Sequence, residues 1–274
     1  MAENRTFVFN STKCTAFSHS AEVRSLCAGD FGVPKITGLK ISSKHNELGR
    51  YIHMTAHHVR VPVPLFVIFR AFGVESDERI FEMIAGRNPA AKECINILSG
   101  CAVDAANLGV FTKDDAESYL LRCTTLTGCP REYCAYPEYE RLALRRMLRT
   151  EILPHVGEDL LAKASYLAEM ARSLLLVAIG LQEPDDRDSY VSKRLDAPGV
   201  MLANLLRQYY GKVVKEARKA LYKELNTGIW RSSGTAINVM NSSNVSKIFK
   251  GITIDSGMRY ALATGTWGVK SGSK

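Results

Sequence analysis

Residues 185–196 read DDRDSYVSKRLD, with seven charged side chains in twelve positions. On both sides of this stretch, apolar residues recur every three or four positions, which is the spacing of one face of a helix. A connection of about fifteen residues exceeds the two to eight that usually join two helices. The length of the stretch therefore indicates a defined role at a joint between the two helices.

The helix predicted before the joint, residues 159–181, has the clearest pattern in the sequence. Residues 174–179 are apolar all round, so this end of the helix is expected to be buried. Small and apolar residues recur along one face at Leu160, Ala164, Leu167, Ala171, Leu174 and Ala178.

The helix predicted after the joint runs from about residue 196 to residue 225, with Pro198 in its first turn. One face is expected to consist of Leu202, Leu206, Tyr209, Val213, Ala217 and Ala220. A second face carries Lys212, Lys215, Lys219 and Lys223, with Met201 and Leu205 on the same side. Two interpretations of the lysines stay open: contact with phosphate groups, or a solvated face whose charge Glu216 and Glu224 reduce.

The rest of the chain predicts a mixed α+β fold. The first sixty residues are rich in β-forming residues, and the prolines at 62 and 64 place the stretch YIHMTAHHVRVPVP at the edge or end of a sheet. Helices are expected at 78–85, within 90–126 with interruptions at Gly100 and Gly109, and from Glu138 to Pro154. A final helix is expected at about 245–263, with Ile248, Phe249, Ile252 and Ser256 on one side.

Composition excludes some classes of protein. With 46% hydrophobic and 23% charged residues, the chain is not a disordered polymer. The net charge of +8 favours a polyanionic partner such as nucleic acid. No apolar stretch approaches the roughly 20 residues needed to cross a bilayer, and the N-terminus lacks the apolar core of a signal peptide. We therefore expect an intracellular protein without a membrane partner.

The charged joint admits three interpretations: a metal site, a nucleic-acid contact, or a structural brace. Asp185, Asp186 and Asp188 could supply oxygen ligands, but the spacing of an EF-hand is absent. Charged clusters that are local in sequence are usually braces, so we expect a hinge without a metal. In it, the basic residues Arg187, Lys193 and Arg194 would pair with Asp185, Asp186, Asp188 and Asp196.

Other reactive residues do not form a recognisable catalytic set. Cys123, Cys129 and Cys134 are spaced too widely for a usual zinc site, so ordinary reduced thiols are expected. His57 and His58 would point to opposite faces of a strand, and ordinary surface histidines are expected. No phosphate-binding glycine motif or nucleophile elbow occurs. The residues alone therefore indicate no active site.

Five blocks, read in order along the chain, resemble the second-largest (β-type) subunit of multisubunit DNA-directed RNA polymerase. The most specific is EPDDRDSYVSKRLDAPGVMLANLLRQYYGKVVKEAR, which is similar to the family segment D-D-R-D-x-Y-x-N-K-R-L-D and the helix after it. The other blocks are AEVRS, PLFVIFRAFGVESDERIFEMI, RTEILPHVG and GMRYALATGTWG. The eukaryotic, archaeal and large-DNA-virus branch resembles this chain more than the bacterial branch does.

The resemblance implies a lobe domain over residues 1–195 and the start of a fork domain over 196–274. It implies a role in transcription, with the largest subunit, the rest of the second subunit and template DNA as partners. The reaction would be nucleotidyl transfer with Mg²⁺ held by the largest subunit, and no catalytic residue is expected in this chain. The nucleus or a viral replication compartment is the expected location. Residues that could face nucleic acid are Lys193, Arg194, Lys212, Lys215, Lys219 and Lys270.

The sequence departs from the family pattern at Val191, Ser192 and Thr266, so a divergent lineage is expected. The resemblance places Met1 at an internal methionine, which predicts a split-gene product, an interrupted reading frame or a partial sequence. The alternative function is a free-standing helical protein that binds nucleic acid or assists assembly through its lysine face, without polymerase activity.

Overall fold

The computed structural model describes residues 4–10, 16–27, 34–43, 50–86, 91–125, 137–186, 188–193, 195, 197–227 and 242–266. At 91, 137, 224–227 and 242–244 only the backbone is described. The chain forms two compact units, Met1–Arg194 (unit 1) and Leu195–Lys274 (unit 2). The identification of these units with a lobe and a fork stays a prediction.

Unit 1 begins with an antiparallel sheet of five strands in sequential order. Its strands are β1 (Thr6–Asn10), β2 (Phe17–Ser25), β3 (Lys35–Ser42), β4 (Ile52–Ala56) and β5 (Val63–Pro64). Alternation along the strands buries one face, where Leu39 lies opposite Met54 in the pairing of β3 with β4. The predicted β-rich start is confirmed. So is the position of the prolines at the edge, because β5 is the last strand and ends at Pro64.

Six helices follow the sheet among the described residues of unit 1. They are α1 (Leu65–Ala71), α2 (Asp77–Ala85), α3 (Ala91–Asn107), α4 (Lys113–Cys123), α5 (Pro137–Thr150) and α6 (Leu160–Ile179). Every residue of α1 is buried, which explains why its sequence is apolar without a helical period. The long helix α6 packs across β1, β2 and β3 and closes the core. The predicted α+β class is confirmed.

The start of α4, the course of α3 and the end of α5 can be compared with the sequence. Thr112 caps α4 through a capping box with Asp115. The expected interruption at Gly100 is wrong, because buried Leu98 and Cys101 carry α3 through the glycine. Helix α5 ends at Thr150 rather than at Pro154, which instead begins a short 3-10 turn, Pro154–Val156.

Unit 2 contains helices α7 (Pro198–Thr227), α8 (Ser242–Ile248) and α9 (Ile252–Thr264). The single final helix expected at 245–263 is therefore two helices, separated by the turn around Gly251. Of the residues expected on one side of that helix, Ile248 is buried, whereas Phe249 and Ile252 are exposed.

Helices α7 and α9 pack closely at a glycine. A Cβ added to Gly257 of α9 would lie 2.2 Å from a ring carbon of Tyr209 of α7. Real Cβ atoms never approach that closely, so only glycine lets the two helices meet here. The Gly/Ser/Asn-rich residues 226–244 predict a loop; residues 228–241 lie outside the described residues, whereas both ends of the stretch belong to α7 and α8.

Candidate nucleic-acid interface and domain joint

Asp185 attaches the joint to the edge of the sheet. Its carboxylate Oδ2 accepts a hydrogen bond from the backbone N–H of Val8 at 2.9 Å. Its own N–H donates to the carbonyl oxygen of Val8 at 2.8 Å. Its Oδ1 lies 3.6 Å from a guanidinium nitrogen of Arg5. The chain after α6 therefore covers part of the open edge of β1, where unpaired backbone groups would otherwise remain.

The other described acids of the joint form exposed, local interactions. The Asp186 carboxylate accepts a hydrogen bond from the N–H of Asp188 at 2.8 Å. The Asp188 carboxylate lies 3.6 Å from the ammonium of Lys193, and the Asp188 side chain is 89% exposed. An exposed ion pair of this kind contributes about 0–1 kcal/mol. The attachment of the joint therefore depends mainly on Asp185.

The expected pairing within the joint differs from the observed contacts in one respect. Asp185 contacts Arg5 rather than a basic residue of the joint itself. Arg187, Arg194 and Asp196, which were expected to complete the hinge, lie outside the described residues, as does Lys270 of the nucleic-acid candidates. The role of the joint as a hinge stays a prediction.

The residues of α7 form four rows, because residues four apart lie nearly above one another on a helix and adjacent residues are turned by about 100°. The packed row is buried or half-buried and consists of Met201, Leu205, Tyr209, Val213, Ala217 and Leu221. The apolar row, one residue further on, is exposed and consists of Leu202, Leu206, Tyr210, Val214 and Tyr222, with Arg218 among them.

The face predicted for α7 is therefore wrong in its first turns and correct from Tyr209 to Ala217, which belong to the packed row. Leu202 and Leu206, expected to pack, are 36% and 46% exposed, whereas Leu205 is only 3% exposed. Two apolar rows lie side by side on this helix, and the contact with α9 determines which of them is covered. The sequence pattern of α7 alone does not distinguish them.

The lysines of α7 are all exposed, as the sequence predicted. A basic row of Arg207, Lys215, Lys219 and Lys223 lies two residues on from the packed row, and thus points to the opposite side of the helix. Lys212 belongs to the fourth row, beside Glu216. The side of α7 turned away from the packed row is therefore positively charged.

Several positively charged side chains of unit 1 form hydrogen bonds or ion pairs inside the fold, so they are not available to a binding partner. Lys163 is fully buried, and its ammonium donates to the carbonyl oxygens of Leu148 and Ile152 at 3.0 and 2.5 Å, and to that of Arg149. Burial lowers the pKa of Lys163 to about 8. Since these carbonyls belong to the end of α5, Lys163 caps that helix.

Two arginines have similar structural roles. Arg172 of α6 donates to the carbonyl oxygens of Ile84 and Met83 at 2.7 and 2.8 Å, and so caps α2. The Arg70 guanidinium, only 2% exposed, contacts the Asp77 carboxylate at 2.5 Å and the carbonyl oxygen of Val110. Sequence reasoning missed these roles, because no local pattern reveals a cap supplied by a distant helix.

The histidines expected at the surface are less exposed than predicted. His57 and His58 lie in a turn after β4 with their rings 4.0 Å apart, rather than on opposite faces of a strand. Only His57 of the group is exposed; His53 and His58 are half-buried. Burial lowers the pKa of both half-buried imidazoles, opposed by Asp104 near His53.

The part of the chain that the structure describes contains no group of three His, Cys, Asp or Glu side chains that could hold a metal ion. Cys123 is buried at the end of α4, while Cys129 and Cys134 of the zinc alternative lie outside that part. No described helix is both long enough and apolar enough to cross a membrane.

Comparison with known proteins shows similarity to one family, the second subunit of RNA polymerase. The family model of RNA polymerase Rpb2, domain 2, matches residues 35–196. The DNA-directed RNA polymerase II subunit RPB2 of Schizosaccharomyces pombe is 30% identical over 97% of this chain and 21% of its own length. That of Encephalitozoon cuniculi is 29% identical over 98% of this chain and 22% of its own length.

A viral relative is similar to the same extent. The DNA-directed RNA polymerase subunit 2 of Acanthamoeba polyphaga mimivirus is 28% identical over 99% of this chain and 22% of its own length. The chain therefore spans about a fifth of the length of these relatives. The end of the family match, at residue 196, coincides with the end of the charged joint.

Proposed function

Because this chain belongs to the RNA polymerase Rpb2 family, we propose that it acts in transcription as one piece of a second-largest RNA polymerase subunit. The observation that carries this proposal is the family match over residues 35–196, which includes the sheet from β3 onward, all six helices of unit 1 and the joint. The names of the relatives support this function over that of a free-standing nucleic-acid-binding protein.

Within such a subunit, unit 1 would be the lobe and unit 2 the start of the fork, with the joint between them as a hinge. The division at residues 194 and 195 supports this assignment. The partners would be the largest subunit, the rest of the second subunit and template DNA. The location would be a nucleus or a viral replication compartment.

The reaction of the assembly would be template-directed nucleotidyl transfer, with this chain forming part of the DNA cleft. We assign no catalytic residue to it. Mg²⁺ would supply stabilisation of the attacking and leaving oxygens and would be held by the largest subunit. The acids of the joint do not fit that ion, because Asp185 is bonded to Val8 and Arg5 and the Asp186 carboxylate accepts from the N–H of Asp188.

The proposed DNA-facing residues of unit 2 are Lys212, Lys215 and Lys219, all of which are exposed on α7. Lys193 of the joint is a further candidate, but it also lies 3.6 Å from Asp188 and near the ring of Tyr190. Arg194 and Lys270 stay candidates from the sequence alone.

Co-expression tests this assignment. A tagged copy of the chain is expected to retain the largest subunit and the remaining part of the second subunit from the same source through affinity and size-exclusion chromatography. The chain alone, given template, nucleotides and Mg²⁺, should yield no transcript, whereas the assembly should. Failure to retain either partner, or synthesis by the chain alone, would contradict the proposal.

A further inference from the structure

Helix α5 presents a face of arginines that the sequence analysis did not single out. Its exposed arginines are Arg141, Arg145, Arg146 and Arg149. At about 100° per residue they lie within an arc of about 140°, and the buried side chains Leu144, Met147 and Leu148 lie in the remaining part of the circumference. We call this set the arginine face.

The orientation of the arginine face is fixed by a buried ion pair. Arg145 donates from Nε and from a terminal nitrogen to the two oxygens of Glu117 on α4, at 2.9 and 3.0 Å. The Glu117 side chain is fully buried, while that of Arg145 is 49% exposed. Such a bidentate pair holds one geometry, so the rotation of α5 about its axis is set by α4.

The other three arginines have no acidic partner among the described residues. The two acids of α5, Glu138 and Glu140, lie in its first turn, away from Arg146 and Arg149. Glu151, the next acid after the helix, is paired with Lys35 at 2.8 Å. The last turns of α5 therefore carry uncompensated positive charge.

The arginines are not needed to stabilise the end of their own helix. Basic residues often lie near a helix C-terminus, because they neutralise its exposed carbonyl groups. Here Lys163 already takes the carbonyl oxygens of Leu148 and Arg149, and the ammonium of Lys35 takes that of Thr150 at 3.2 Å. Two lysines therefore already bind the C-terminal carbonyl groups of α5, which is the usual structural role of arginines at this position.

We infer that the arginine face of α5 binds the phosphate backbone of duplex DNA, as a contact in unit 1 separate from the lysines of α7. This inference rests on the proposed function, which places the chain beside DNA. Guanidinium groups bind phosphate through two parallel hydrogen bonds. Two large exposed apolar side chains, Leu142 and Tyr139, lie within or beside the arc of the arginines, so the test must also exclude an acidic protein as the occupant.

The test is the salt dependence of DNA binding by the full chain, measured by fluorescence anisotropy with a labelled duplex of random sequence. Each phosphate contact contributes about 0.9 to the slope of log K against log salt concentration. The triple variant Arg141→Gln/Arg146→Gln/Arg149→Gln is expected to reduce this slope by about 2–3. Replacing the same three arginines by lysine should keep the slope close to that of the unmodified chain.

The matched control removes the same charge elsewhere. Arg24, Arg79 and Lys92 are exposed in unit 1 and lie on other elements. Their triple replacement by glutamine should change the slope by no more than about 0.9, which is the contribution of one phosphate contact. Circular dichroism melting of each variant shows whether the fold is retained. We expect all variants to retain it, because all six side chains are exposed.

The outcomes separate this inference from the proposed function. If Lys212→Gln/Lys215→Gln/Lys219→Gln lowers the slope and the α5 variant does not, the inference is overturned and the proposed function stands. If the α5 variant loses affinity for poly-glutamate but keeps its DNA slope, the inference is overturned in favour of an acidic protein. If the unmodified chain shows no salt-dependent DNA binding, both fail.

Discussion

At the scale of single residues, Asp185 shows how one carboxylate can attach a connection to a sheet. Replacing it by alanine removes the acceptor for the Val8 N–H and the partner of Arg5. Hydrogen bonds to charged groups contribute about 1.5–3 kcal/mol, and we expect a decrease of this size in the free energy of unfolding measured by urea denaturation. Asp185→Asn, which keeps an acceptor, should lose less.

Asp188→Ala is the control for that prediction, because the Asp188 side chain is 89% exposed and its described ion pair is with Lys193. Its effect should stay within about 0.5 kcal/mol, as for most surface substitutions. Equal losses for the two aspartates would show that Asp185 has no special role in attaching the joint.

Gly86 permits a second long-range contact, the cap that Arg172 provides for α2. Gly86 has φ +59°, and a Cβ there would lie 2.8 Å from a guanidinium nitrogen of Arg172. Gly86→Ala combines backbone strain of about 1–3 kcal/mol, since ψ is −154°, with displacement of Arg172 from the carbonyl oxygens of Met83 and Ile84. We expect a total loss of about 2–4 kcal/mol in urea denaturation.

Gly73 provides the comparison that isolates the clash. It also has positive φ, +95°, but a Cβ there would meet nothing within 4 Å. Gly73→Ala should therefore cost only the backbone strain, about 1–2 kcal/mol. A loss at Gly86 no greater than that at Gly73 would contradict the importance of the Arg172 cap.

At the scale of whole elements, the contact of α7 with α9 depends on the absence of a side chain at Gly257. Gly257→Ala places a Cβ against the Tyr209 ring, so α9 must shift, although alanine has the higher helix propensity. We expect loss of protection of the α9 amides in hydrogen exchange and a cost of about 1–3 kcal/mol, as for other overpacked contacts.

Gly211 of α7 is the natural control, because a Cβ there would meet nothing within 4 Å. Gly211→Ala should stabilise the helix by about 0.5–1 kcal/mol. The two substitutions are chemically identical and both lie within helices of unit 2, so opposite signs would confirm that packing decides the effect. Stabilisation by both would show that α9 does not pack on Tyr209 as described.

The elements also show where sequence reasoning succeeds. Helix α6 was predicted at 159–181 and lies at Leu160–Ile179, because Asp159 caps its start and Gly180 adopts the left-handed conformation at its end. The buried face of α7 was predicted correctly at Tyr209, Val213 and Ala217 but not in the first turns, where two apolar rows compete and only the partner helix selects one. The contact of Asp185 with Val8 could not be predicted either, because 177 positions separate the two residues.

At the scale of the whole molecule, the half-buried histidines determine an expected pH dependence. Burial lowers the pKa of His19, His53, His58 and His155 from 6.5, and Lys163 lowers that of His155 further. The folded chain therefore takes up fewer protons than the unfolded chain below about pH 6.5. The free energy of unfolding should be highest above that pH and decrease as the pH falls below it.

Urea denaturation between about pH 8 and pH 5 measures this dependence. The imidazole Nδ1 of His155 lies 2.6 Å from the hydroxyl of Ser25, and His155→Asn should reduce the pH dependence without removing that polar contact. The raised pKa of the half-buried Asp104 carboxyl acts in the opposite direction at more acidic pH. A stability that rises as the pH falls from 7 to 5 would contradict the assignment.

The hydrogen bonds between Val8 and Asp185 also have a consequence for biosynthesis. Strand β1 leaves the ribosome before Asp185, which contacts its outer edge and follows Val8 by 177 positions. At about 5–20 residues per second, the ribosome needs roughly 10–35 s to produce that residue. During this interval the two hydrogen bonds that Asp185 forms with Val8 are missing, so we expect cotranslational chaperones to shield β1 until residue 185 emerges.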